Sequence, residues 1–190
     1  MSRHAIAPAE ARAIHTRPTP VEVAGPARPR PSSPEGRVAS ASLQVANELL
    51  VIGTGPAPDF IDITERVAEI VQRSSVASGQ ALVFSRHTTA AVRVQEAEPL
   101  LLRDMTACLE RLAPQDLDYH HNDFRVRTVN MTEDESPNGH AHCRHLFLGA
   151  SETVPVVGGH LALGCWQRIF LIELDHPRQR EVHVQVMGLG

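Results

Sequence analysis

The sequence predicts an α+β fold: a largely antiparallel sheet packed with two main helices and a short one. Three observations lead there. Short runs of branched apolar residues recur along the chain, and the later ones are separated by turn residues rather than by helical crossovers. Two stretches carry an apolar stripe of helical period. The resulting order is strand, helix, strands, helix, a long loop with a short helix, then four strands, unlike the regular strand–helix alternation of a parallel sheet.

Leu43–Ile52 is partly alternating and rich in branched residues, and reads as a first strand; Gly53–Pro58 is a turn. Asp62-Ile-Thr64 offers a helix N-cap, with Glu65 favourably placed in the first turn. Ile63, Val67, Ile70, Val71 and Ser74 share one helical face, and Gly79 ends that connection. Ala81–Ser85 and Ala91–Gln95 read as strands that are hairpin or continuation partners, with Arg86–Ala90 between them. Pro99 suits the start of a second helix, whose core stripe is Leu102, Met105, Leu109 and Leu112 and which Pro114 stops. Gln115–Gly139 is polar and aperiodic, and a loop this long inside a compact domain is more often functional than incidental. His140–Leu148 reads as the short helix. Thr153–Val157 and His160–Leu163 form a hairpin across Gly158-Gly159, and Ile169–Leu174 pairs with Glu181–Met187.

The chain has 190 residues, 42% of them apolar, enough for one ordinary domain with a real core. Residues 1–37 read as a disordered Pro/Arg-rich tail: seven of the 14 prolines lie there, including the run from Pro26 to Pro34, and such a segment buries too little apolar surface to offset its ordering entropy. The single folded domain is expected over 38–190. No apolar run approaches the roughly 18–20 residues of a membrane helix. A net charge of −4 argues against nucleic acid or an anionic membrane as partner. Cys108, Cys143 and Cys165 form no C-x-x-C pair and are odd in number, which favours free, small buried side chains in a reducing cytoplasm.

All 18 basic side chains are Arg. The absence of lysine excludes a Walker A site, a Schiff base and a lysine base, so any anion must be held by Arg, backbone N–H groups, His or a metal. Of the 11 histidines, nine lie from His87 onward. His120-His121 and Asn138-Gly-His-Ala-His-Cys-Arg-His145 are the densest cluster. In a strand His140 and His142 face one way; on a helix His142 and His145 do. Either arrangement can offer imidazoles to a divalent metal, zinc above all, and a solvated His-rich loop is the plain alternative. Glu96 is a candidate general acid or base and Glu98 a helix cap. Trp166, in Gly164-Cys-Trp-Gln167, reads as core packing beside a tight turn.

Several strings occur together and in order: Asp62-Ile-Thr64, His87-Thr-Thr-Ala90, Glu96-Ala-Glu98-Pro99 with Asp104, Tyr119-His-His121, Asn138-Gly-His-Ala-His142, Leu148-Gly-Ala-Ser151, Val154-Pro-Val156, Leu163-Gly-Cys-Trp-Gln167 and Glu173-Leu-Asp175 with Pro177-Arg178. The set, spanning about Val38 to Gly190, resembles the YjbQ family. The resemblance implies an α+β homotrimer with His-lined sites near subunit contacts. It also implies a secondary thiamine-phosphate-synthase-like activity, joining a pyrimidine methyl diphosphate to a thiazole phosphate. The family's recurrent histidines fall on His87, His121 and His142, His140 matches a subgroup, and a basic position falls on Arg144, an anion-binding candidate. Two positions depart from the family pattern: Cys165 stands where the family has threonine, and Gln95 where it has asparagine.

The expectation is therefore a cytoplasmic, metal-dependent transferase or hydrolase acting on a phosphorylated small molecule. His87, His121 and His142, with His140 nearby, would hold the metal, Arg144 would neutralise phosphate charge, and Glu96 would transfer a proton. The rival expectation is a non-enzymatic trimer that binds a metal or a phosphometabolite through the same residues.

Overall fold

A computed structural model describes residues 42–190, so the expected tail over 1–37 and the first residues of the expected domain lie outside the described residues. The elements are β1 (Leu43–Gly53), β2 (Asp59–Asp62), α1 (Thr64–Arg73), β3 (Ser78–Ser85), β4 (Ala90–Glu96), α2 (Pro99–Leu112), a 3-10 turn (His120–Asn122), α3 (Gly139–Leu148), β5 (Ser151–Val157), β6 (His160–Leu161), β7 (Gln167–Glu173) and β8 (Gln179–Leu189). All strand pairings are antiparallel, as expected of this α+β fold, but they make two sheets: five strands in the order β1-β8-β3-β5-β6, and three in the order β2-β7-β4.

The sheets face each other. Leu50, Ile52, Val83, Val154, Val182, Val184 and Val186 of the larger sheet pack with Ala90, Val92, Ile169 and Leu171 of the smaller one. Helix α1 adds Val67, Ile70 and Val71 to the same core, each worth roughly 1.5–3 kcal/mol on burial. The other face of the small sheet carries Ala91, Phe170 and Ile172, which meet Leu109 of α2 and Ala141 of α3. Layer order is thus large sheet, small sheet, then α2 and α3, with α1 packed on the inter-sheet core.

This arrangement corrects several expectations. β3 and β4 are not partners, nor are β7 and β8; each pair is split between the two sheets. The split follows from burial: Ile169–Glu173 is buried on both faces, as a middle layer requires, whereas β8 alternates buried Val182, Val184 and Val186 with Glu181, His183 and Gln185 on the outside. Gly79 does not end a connection but lies within β3 opposite Gly188. There the strands approach so closely that a Cβ on Gly79 would sit 2.1 Å from the Met187 carbonyl oxygen. Asp59–Asp62 forms a strand where only a turn and a cap were expected. In α2 only Leu109 of the expected stripe is buried, and Leu112 is exposed. Glu98 caps α2 as expected, accepting from the N–H groups of Leu100 and Leu101 at 3.0 and 2.7 Å. Trp166 is 70% exposed rather than core, and Cys108 and Cys165 are exposed as well.

Candidate functional site

β3 ends, β4 begins, β7 ends and β8 begins at one end of the domain, and α3 starts beside them. The loops at that end enclose an open cleft of about 510 Å³, lined by Arg86, His87, Thr88, Thr89, His121, Arg127, Asn130, Thr132, Glu135, Asn138, His142, Arg178 and Arg180.

His87 is fixed by the way a ladder runs out. The last β3–β8 pair is Ser85 with Val182. One residue further, Arg86 N–H donates to the Glu181 carbonyl at 3.1 Å. The returning Glu181 N–H has no strand partner left, and it donates to His87 Nε2 at 2.8 Å. An imidazole nitrogen that accepts carries no proton, so neutral His87 holds its hydrogen on Nδ1. Burial, then the Arg180 charge, lowers its pKa and keeps it neutral.

His121 and His142 meet edge to face, their ring centroids 4.6 Å apart. Gly139 makes this contact available. Its N–H donates to Asn122 Oδ1 at 2.9 Å, and a Cβ there would come 2.6 Å from Tyr119 Cβ. The turn carrying His121 therefore lies directly on the start of α3. Burial, then the neighbouring His121, lowers the His142 pKa.

The four arginines of the cleft each have a carboxylate. Arg86 pairs with Glu181 at 2.6 Å, Arg127 with Glu135 at 3.1 Å, and Arg178 with Asp175 at 2.7 Å. Arg180 and Glu173 form a fully buried pair. Glu173 also accepts from Thr54 Oγ1 and from the Leu174 and Asp175 N–H groups. Burial alone would raise the Glu173 pKa; the Arg180 hydrogen bond and these donors outweigh it and lower the value. Arg180 reaches on to Thr89 Oγ1 at 2.9 Å, which fixes the floor of the cleft.

Two buried polar atoms on cleft residues have no partner: His121 Nε2 and Asn138 Oδ1. Unpaired buried polar atoms are costly and call for a ligand or water.

The structure thus brings three of the sequence-predicted residues, His87, His121 and His142, to one cleft, and places the others elsewhere. His140 points away, because residues two apart on a helix lie on nearly opposite faces; it is buried, and burial followed by the Arg144 charge lowers its pKa. Arg144 is buried too, its Nε donating to the Ala113 carbonyl at 3.0 Å and a terminal nitrogen pairing with Glu110. It pins α3 to the end of α2 and does not line this cleft. Glu96 lies opposite Gln167 at the other end of β4, about 20 Å from the cleft at the usual strand rise. Sequence reading overlooked Arg86, Arg127 and Arg180; the absence of lysine pointed to arginine, but nothing separated these from the other arginines.

Two imidazoles do not make a zinc site, which needs at least three protein ligands. The third expected ligand, His87, has its Nε2 occupied, and among the described residues no three His, Cys, Asp or Glu side chains converge. Among the described residues of one chain, these side chains do not complete a metal centre.

The pattern of the family described as UPF0047 protein YjbQ-like matches residues 48–189. A UPF0047 protein of Methanothermobacter thermautotrophicus is 38% identical over 146 residues, which cover 77% of this chain and 94% of that protein. YugU, a UPF0047 protein of Bacillus subtilis, is 34% identical over 142 residues, 73% of this chain and 97% of YugU. The crystal structure of a YbjQ-like protein of unknown function from Sulfolobus solfataricus P2 is similar with a TM-score of 0.70 at 32% identity, covering 77% of this chain and 99% of that one. On its sequence and on its fold alike, this chain belongs to the YjbQ-like UPF0047 family.

Proposed function

We propose that the cleft binds the phosphate or diphosphate group of a small molecule and that the protein is an enzyme acting on that molecule. The observation that supports this best is the approach of four arginines to one cleft that also holds His87 and His142, whose pKa values burial lowers. A guanidinium has five N–H donors, and the carboxylate contacts leave several unused. Its fork matches phosphate oxygens. His87 adds an uncharged Nδ1–H donor. Thiamine-phosphate-synthase-like joining of a pyrimidine methyl diphosphate to a thiazole phosphate fits as a secondary activity, with the arginines balancing diphosphate charge. Glu96 would reach such a cleft only from another subunit. Calorimetry of the full chain with inorganic phosphate and with diphosphate tests the reading. Binding that weakens as salt rises is expected; no binding at millimolar ligand overturns it.

A second reading, a divalent ion, is favoured by the His121–His142 contact and the unpartnered His121 Nε2. It requires a further donor from outside the described chain, as a trimer would supply. The outer face of the large sheet supports assembly, since Val45, Leu49, Val51 and Phe84 are exposed there. Metal analysis of chelator-free protein together with its mass in solution decides both points: a bound ion in a trimer is expected, and a metal-free monomer that takes up no Zn²⁺ sinks this reading.

A further inference from the structure

The cleft differs in one respect from most small-molecule sites, which are lined chiefly by apolar and aromatic side chains. Among the described residues, none of its lining side chains is aliphatic, and its only rings are imidazoles. The fold does have apolar lining to give. On the helical side of the small sheet a second hollow, of about 270 Å³, is walled by Phe60, Val94, Met105, Leu109, Phe147 and Ile172. A hydrocarbon chain or an aromatic ring carried into the cleft by its phosphate would therefore have no apolar wall to cover.

The cleft residues fall into two sets. Arg86, His87, Arg178 and Arg180 come from the strand ends and their loops, and bring the positive charge. Asn130, Thr132 and Glu135 come from the long loop and bring none. Arg127 holds this second set together. One of its terminal nitrogens donates to the Asn130 carbonyl at 2.9 Å, and the other pairs with Glu135 at 3.1 Å. The Glu135 carboxylate accepts in turn from the Thr132 N–H at 3.3 Å. Asn130 sits at φ 53°, the left-handed conformation that Asn tolerates better than most residues. Asn130 and Thr132 are exposed, so an occupant can reach them. An amide both donates and accepts, a hydroxyl does the same, and a carboxylate accepts strongly. Neighbouring hydroxyls on a carbon chain, each a donor and an acceptor, match that set. A second anionic group there would meet the Glu135 charge instead.

We propose that the cleft takes a phosphorylated polyol, such as a sugar phosphate, with its phosphate on the arginines of the strand ends and its hydroxyls on Asn130, Thr132 and Glu135. The proposal rests on the phosphate reading above and names the substrate class for it. Phosphates that carry an aromatic ring are then the poorer ligands, and any activity on them is the secondary one.

Calorimetry of the full chain with inorganic phosphate, n-butyl phosphate, phenyl phosphate, ribose 5-phosphate and glucose 6-phosphate tests it. The tighter of the two sugar phosphates should bind at least about tenfold more tightly than n-butyl or phenyl phosphate, because a wall built to hydrogen-bond hydroxyls discriminates against ligands that lack them. Asn130→Gly keeps the left-handed backbone and removes the amide; Thr132→Val keeps the shape and removes the hydroxyl. Each should reduce the ratio of sugar phosphate to n-butyl phosphate affinity by about threefold or more. If inorganic phosphate binds but the sugar, butyl and phenyl esters bind equally, or phenyl phosphate binds best, the polyol proposal falls and the phosphate reading stands. A preference for sugar phosphate that neither variant changes also overturns it. Failure of every probe, inorganic phosphate included, overturns both.

Discussion

The His87 imidazole stands where the next backbone partner of β8 would stand if β3 were longer. That substitution of a side chain for a strand gives the residue two roles, closing off an otherwise orphan N–H and placing an imidazole on the lining of the cleft. The roles separate on mutation. His87→Phe should destabilise the fold by about 1–3 kcal/mol, the usual cost of an orphaned buried N–H, and weaken phosphate binding about tenfold. His87→Asn can restore a donor near the Nδ1 position and should regain part of the binding but none of the stability. Chemical denaturation and calorimetry on the two variants check this. Arg127→Leu should weaken phosphate binding by about 10- to 100-fold, as loss of a charged hydrogen bond does; unchanged affinity would remove Arg127 from the site. The histidines also show what a sequence can reveal at this scale. Their clustering was visible, but not which way each ring points. His140 and His142 share a face in a strand and diverge on a helix, and α3 resolves the ambiguity by sending His142 to the cleft and His140 into the core. Arg144 was indistinguishable in sequence from a surface anion-binding arginine; its carbonyl and carboxylate partners come from α2, which spacing along the chain could not foretell.

Among the elements, β7 and β8 illustrate how much of the fold a reader of the sequence can extract. Ile169-Phe-Leu-Ile172 is continuously apolar, the mark of a strand covered on both sides, whereas Glu181-Val-His-Val-Gln-Val186 alternates, the mark of a strand covered on one. Strand existence was therefore legible, and so was the antiparallel sense. Partnership was not: a short turn between two strands suggests a hairpin, and only the competition of both faces of β7 for cover puts the two strands in different layers. The link between these layers beneath the cleft is the Glu173–Arg180 pair. Glu173→Gln or Arg180→Met alone should cost about 3–5 kcal/mol, because each leaves the other charge buried and alone, and urea unfolding should register it. The Gly79–Gly188 approach is as unforgiving in its own way. Gly79→Ala drives a Cβ into a backbone oxygen rather than a movable side chain, so a soluble Ala variant of wild-type stability would contradict the pairing of β3 with β8.

For the whole molecule, pH and assembly are the accessible variables. Burial lowers the pKa of His87, His140, His142 and His145. Unfolded, each would protonate near the ordinary value of about 6.5. Because the folded state resists those protons, the stability these groups contribute is complete above pH 6.5 and is lost as pH falls from there toward their lowered values. The melting temperature should accordingly drop below about pH 6.5, and less steeply in His145→Phe; a flat profile from pH 7.5 to 5.5 would refute it. Glu173 and Asp175, whose pKa values are lowered against the pull of burial, act in the same sense but only at more acid pH. On the outer sheet face, Leu49→Glu should shift the protein to a smaller species by light scattering if that face joins subunits. The cleft itself draws its walls from several layers at once: Arg86 and Arg180 extend from the large sheet, Thr89 leads into the small one, His142 belongs to the helical layer, and Arg127 to the long loop. An occupant touching all of them acts as a bolt through the stack. Every partial opening at that end must first release it, so binding will slow amide hydrogen exchange in α3, the loop and the start of β8 together, by a factor that grows with ligand concentration. Exchange measured against a panel of metabolites would then identify the natural occupant with no assay of chemistry at all.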